Sequence, residues 1–157
     1  MNKKTKILIS VLAGVALCVV AGYAVSNAWP GENGGDTNAN NSTGPADRVD
    51  VVYFHRTQRC YSCRYMEAAA NYTVQTYFKD ELASGKLTFQ VFNVEDEANA
   101  DIVAKYQSSY LSLYINTMKD GTDHIELVTD LYPLIGNDEA FIETLKSNIE
   151  KSLTGEA

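Results

Sequence analysis

Two cysteines separated by two residues, Cys60-Tyr61-Ser62-Cys63, are the side chains of this sequence best suited to chemistry. A thiolate attacks disulfides, and a second thiol one helical turn away can displace whatever the first has captured. The pair follows an apolar run and opens a helical pattern, so Cys60 is expected at a helix N-terminus. There the unpaired N–H groups and the positive end of the helix dipole favour a thiolate over a thiol. Arg59 and Arg64 add positive charge on either side and are the candidate thiolate-tuning residues. Cys60 is assigned the attack and Cys63, deeper in the helix, the resolution.

Two blander uses of the pair compete with exchange chemistry. A static disulfide closing so short a loop removes little chain entropy, which is a weak reason to keep it. Half of a zinc site would need His55 and His124, which lack the spacing of zinc modules. No metal is expected on that ground, and no flavin or nicotinamide cofactor, because no Gly-rich phosphate loop follows any strand-like run. The third cysteine, Cys18, lies in an apolar segment and reads as a small membrane-buried hydrophobe.

The elements that must position the dithiol are legible from periodicity. Residues 49–54 (VDVVYF) form a β-branched and aromatic run, hence a strand, and Tyr61 to about Leu82 repeats apolar residues at helical spacing up to Ser84-Gly85. A buried strand follows over 87–94, a short helix over 98–106, and two strands over 111–117 and 124–128 flank the turn signal Lys119-Asp120-Gly121-Thr122. Asn137 caps a last helix over 138–153 that carries Phe141, Ile142, Leu145, Ile149 and Leu153 on one face. A right-handed βαβ unit feeding an antiparallel hairpin, with a terminal helix over the sheet, is an α/β arrangement of the thioredoxin-like type.

Ahead of this domain, expected over 48–157, the composition changes twice. Three lysines precede an uncharged run at residues 7–25, about 28 Å long as a helix and so able to span a bilayer. Residues 1–28 therefore read as an N-terminal membrane anchor, with a cleaved signal peptide as the competing reading. The lysines place the N-terminus in the cytoplasm and the domain outside, on the extracytoplasmic (periplasmic) face of a bacterial membrane. Residues 29–47 are rich in Gly, Asn, Ser and Thr and read as a flexible tether. The net charge of −7 argues against a nucleic-acid function, which needs clustered Lys and Arg to neutralise phosphates.

The segments FHRTQRCYSCRYMEA, NVEDEANADIVAKY and DEAFIETLKSNIEKSL, spread over residues 48–153, resemble the thioredoxin-like family labelled nitrophenyl compound nitroreductase subunit, ArsF type. The resemblance implies a redox-active Cys-x-x-Cys pair acting on protein thiols or disulfides. It also implies a polytopic, permease-like membrane partner that transfers electrons. Nitroreduction is not adopted, since nothing in the sequence binds a flavin or nicotinamide.

Several departures from ordinary thioredoxins stand out. Arg59 replaces the Trp before the first cysteine, and Tyr61-Ser62 replaces Gly-Pro. Phe54 stands six positions before Cys60, where thioredoxins bury an acid. The loop that would face the substrate, with Ser109 and Tyr110, lacks the family's cis-proline. The expected function is a membrane-anchored thiol–disulfide oxidoreductase. The alternatives are a non-catalytic redox-responsive subunit of a membrane transporter and a thiolate metal- or metalloid-binding module.

Overall fold

β1 (Arg48–His55) is buried without interruption from Val49 to Phe54, the pattern of a strand covered on both faces rather than one that alternates. It is central in a four-stranded sheet of order β2-β1-β3-β4. A computed structural model describes residues 44–156 of the chain. In it β1 is followed by α1 (Tyr61–Tyr77), α2 (Lys79–Ser84), β2 (Leu87–Asn93), α3 (Ala100–Tyr106), β3 (Ser112–Lys119), β4 (Thr122–Leu127) and α4 (Asp138–Thr154). Short 3-10 turns precede α3 at Glu97–Asn99 and α4 at Tyr132–Leu134.

β1 and β2 run parallel from Val49↔Leu87 to His55↔Asn93, joined through α1 and α2. β3 returns antiparallel to β1, pairing Phe54 with Ser112, and β4 closes a hairpin on β3. That hairpin turns at Asp120 and Gly121, whose φ of 51° and 74° are the left-handed pair a two-residue turn demands. One parallel crossover followed by an antiparallel hairpin and a covering helix is the thioredoxin fold in its minimal form.

Alternation along the strands builds two cores. On one face Val49, Val51, Tyr53, Leu113 and Ile115 pack with Met66, Ala70 and Val74 of α1 and with Phe141, Leu145 and Ile149 of α4. On the other, Val52, Phe54, Tyr106 and Tyr114 gather with Ile102 and Val103 of α3. Each such side chain contributes about 1.5–3 kcal/mol by leaving water, so α1, which carries the dithiol, is clamped to the sheet.

Three details differ from the sequence expectation. The helix expected to run to Leu82 breaks at Phe78, where φ −126° and ψ 39° end α1 before α2 begins. No Gly or Pro marks the break; Phe78 itself is buried in the core at 3% exposure, so tertiary packing overrides local propensity there. The hairpin strands are longer at the turn than alternation indicated. Residues 44–47, assigned by composition to the tether, are fastened to the domain: the Ala46 N–H donates to Leu153 O, the Asp47 N–H to Met118 O, and Lys119 Nζ to Gly44 O. The apolar run at residues 7–25 and the rest of the tether lie outside the described residues. Among those described, no helix is long and apolar enough to cross a membrane.

Candidate dithiol site

Cys60 is the N-cap of α1, extended at φ −81° and ψ 177°, and its carbonyl accepts the first bond of the helix from the Arg64 N–H at 3.2 Å. No side chain caps this helix and its first turn holds no acidic residue. The N–H groups of that turn are thus left for the sulfur. Cys60 is exposed, Cys63 is buried at 8% exposure, and both are free thiols with their sulfurs 3.0 Å apart.

The two thiols are pushed in opposite directions. Cys60 is held below the usual thiol range by the hydrogen bond from the Cys63 side chain and then by the backbone N–H groups of Cys63 and Ser62. Cys63 is pushed up, first by burial and then because it is the donor to Cys60. One exposed thiol that ionises easily and one buried thiol that keeps its proton are what sequential attack and resolution require.

The flanking arginines part company. Arg59 turns inward, forms an ion pair with Glu67 of α1, and its positive charge bears on Cys63. Arg64 stays exposed and, with Arg59, Glu67, Asn71, Phe89 and Val91, lines a cavity of about 420 Å³ between α1 and the edge strand β2. The leading influences on Cys60 are Cys63 and the backbone, not either guanidinium.

Beneath the dithiol the structure shows a residue that counting along the chain missed. Phe54 faces the second core, within 5.8 Å of Phe92 and Tyr114 and 5.4 Å of Tyr106. Its neighbour Tyr53 faces α1 instead and donates its hydroxyl to Cys63 O at 2.7 Å. Burial, reinforced by Cys63, pushes the Tyr53 phenol well above its ordinary value, so it stays a neutral donor. Glu67, four residues beyond Cys63, was likewise not singled out; its signal was the (i, i+4) spacing that puts both on one helix face.

Antiparallel pairing of Phe54 with Ser112 brings the 107–111 loop to the sheet end where Cys60 sits. Ser109 and Tyr110 are exposed there, Tyr110 at 63%. The loop is tied to itself: the Ser108 and Ser112 hydroxyls hydrogen-bond to each other at 2.7 Å, and Tyr110 O, 3.4 and 3.1 Å from them, accepts the proton the pair has left. No cis peptide bond occurs among the described residues. His55 Nδ1 lies 2.8 Å from Arg56 O, and His124 sits exposed on β4 opposite Thr117. Among the described residues no three His, Cys, Asp or Glu side chains come together as a metal site.

No protein-family model and no curated protein matches the chain. Solved structures similar to it include a thioredoxin from Thermus thermophilus, 14% identical over 67% of this chain and 76% of that one, with a TM-score of 0.42. Thioredoxin O2 from Arabidopsis thaliana in its oxidized state is 15% identical over 69% of this chain and 77% of that one, with a TM-score of 0.41.

Proposed function

We propose that the domain is a thiol–disulfide oxidoreductase in which Cys60 attacks and Cys63 resolves. The observation that carries this reading is the asymmetry of the pair: an exposed Cys60 thiol at an uncapped helix N-terminus, made more acidic by a hydrogen bond from a buried Cys63 at 3.0 Å. A structural disulfide has no use for that asymmetry, whereas an exchange catalyst depends on it. In the reducing direction the Cys60 thiolate attacks a substrate disulfide, one substrate sulfur leaves as a thiolate and takes a proton, and a mixed disulfide remains for Cys63 to break. The substrates are protein thiols or disulfides.

The lysine-flanked apolar run at residues 7–25 supports single-pass anchoring in a bacterial membrane with the domain outside the cytoplasm. A polytopic, permease-like electron-transfer protein is then the membrane partner, in keeping with the resemblance to the ArsF-type family.

The test is a Cys63→Ser variant of the full chain. An exchange catalyst accumulates mixed disulfides through Cys60 that dithiothreitol releases. The Cys60/Cys63 couple should also be reversible between about −120 and −270 mV. A couple that resists reduction below about −300 mV, with no trapped partner, would mean a structural disulfide.

One observation favours a second reading, a redox-responsive subunit without turnover. The Tyr110 carbonyl, at the sheet end where Cys60 sits, already accepts from the hydrogen-bonded Ser108–Ser112 hydroxyl pair. A loop satisfied from within has less to offer a passing peptide backbone. Under that reading Cys63→Ser traps nothing, while binding to the membrane partner changes with the oxidation state of the pair.

A further inference from the structure

Exchange leaves Cys63 with a problem of charge. To resolve the mixed disulfide it must lose its proton, attack Cys60 Sγ, form the Cys60–Cys63 bond and break the Cys60–substrate bond. The departing substrate thiolate takes up a proton, and the two electrons of the dithiol end on the substrate sulfurs. Yet Cys63 is 8% exposed, and burial disfavours its thiolate. Once Cys60 is bonded to substrate, the thiolate that accepted the Cys63 hydrogen bond is gone as well.

No acid on β1 faces Cys63: Asp50 is paired with Arg48 and Thr88. Phe54 lies in the opposite core and the residue facing Cys63 from β1 is the Tyr53 phenol. Charge comes from elsewhere. Arg59 and Glu67 pair with each other; their side chains are 27% and 30% exposed, and Arg59 Nε and Nη2 and Glu67 Oε2 are out of contact with solvent. The Arg59 charge also bears on the Tyr53 phenol, whose hydroxyl donates to Cys63 O. Glu67 is the side chain that holds Arg59.

We propose that the Arg59–Glu67 ion pair, with Glu67 one helical turn beyond Cys63 on the same helix face, readies Cys63 for ionisation when it displaces substrate from Cys60. Arg59 supplies the positive charge that a buried thiolate needs. Glu67 is a positioning residue that keeps the guanidinium turned in rather than out into water. The groups facing Cys63 are Tyr53 from β1, Arg59 and Cys60 from the loop before α1, and Glu67 on α1 itself; Arg64 is exposed on the cavity wall. The adjoining cavity of about 420 Å³ gives the pair a solvent-facing side, a route by which protons equilibrate with water without opening the domain. The inference deepens the oxidoreductase reading and rests on it for its purpose, but its measurement does not.

The full chain carrying Cys60→Ser presents Cys63 without its thiol partner, as in the mixed disulfide. Alkylation of Cys63 with iodoacetamide across pH, followed by peptide-resolved mass spectrometry, gives the midpoint of its ionisation apart from Cys18. Arg59→Met in this background should raise the midpoint by about one pH unit, a tenfold smaller thiolate fraction at neutral pH. Glu67→Ala should move it the same way, and Arg59→Met with Glu67→Ala no further than Arg59→Met alone, because Glu67 acts through Arg59. Arg59→Lys should recover part of the shift. A midpoint that moves by less than about 0.3 unit in Arg59→Met, or fully additive shifts, overturns the proposal. Should Cys63→Ser trap no partner while these midpoints still shift, the oxidoreductase reading falls and the ion-pair inference stands.

Discussion

At the scale of single residues the site is a division of labour between two thiols that differ in burial. Because Cys60 ionises below the ordinary thiol range, its thiolate persists as pH falls, and its reactivity disappears only through that lowered value. Iodoacetamide at neutral pH should therefore modify Cys60 at least about tenfold faster than Cys63 in the reduced protein, read by peptide mass spectrometry; equal rates would contradict the assignment. Tyr53→Phe removes a buried hydrogen bond to Cys63 O and should cost about 0.5–1.5 kcal/mol in urea unfolding. The spacing of the cysteines was enough to find them. Tyr53 was not readable, because a shift of one residue along a strand exchanges its two faces, and only the pairing register decides which of Tyr53 and Phe54 looks at α1.

Among the elements, the contrast between the two long helices explains how one fold both stabilises and activates. α4 begins conventionally: Asn137 Oδ1 accepts from the Ala140 N–H at 3.3 Å, and Asp138 and Glu139 occupy the first turn. Asn137→Ala should cost about 1 kcal/mol, visible as a lower Tm with little change in dithiol chemistry. α1 begins with neither device and leaves its N–H groups to Cys60. Placing a competing carboxylate there, as in Ser62→Asp, should raise the Cys60 pKa and slow its alkylation at neutral pH; an unchanged midpoint would show that the helix end contributes nothing. Helical periodicity and the Asp120-Gly121 turn were visible in the sequence because both are local. The break at Phe78 was not, since it answers to the core that buries its ring.

For the molecule as a whole, the order of elements sufficed to anticipate a parallel crossover, a hairpin and a covering helix, since few topologies accept that order. Composition alone misplaced the domain's first residues. Gly44 to Asp47 look like tether, yet they hydrogen-bond to Leu153, Met118, Lys119 and Asp120 across the fold. Gly155 closes this corner with φ +74°, and a Cβ there would run into the Gly44 carbonyl. Gly155→Ala should destabilise the chain by about 1–3 kcal/mol, measurable as a drop in Tm.

That corner has one more consequence. Both ends of the domain meet at the pole where β1 begins, whereas the thiols lie past its far end, about 25 Å away at strand rise. The domain behaves like a probe with its handle and its tip at opposite ends. Fixed to an electrode or a bead at either end of the 44–156 domain, it should keep Cys60 pointed at the solution, and its current or turnover should not depend on which end was used.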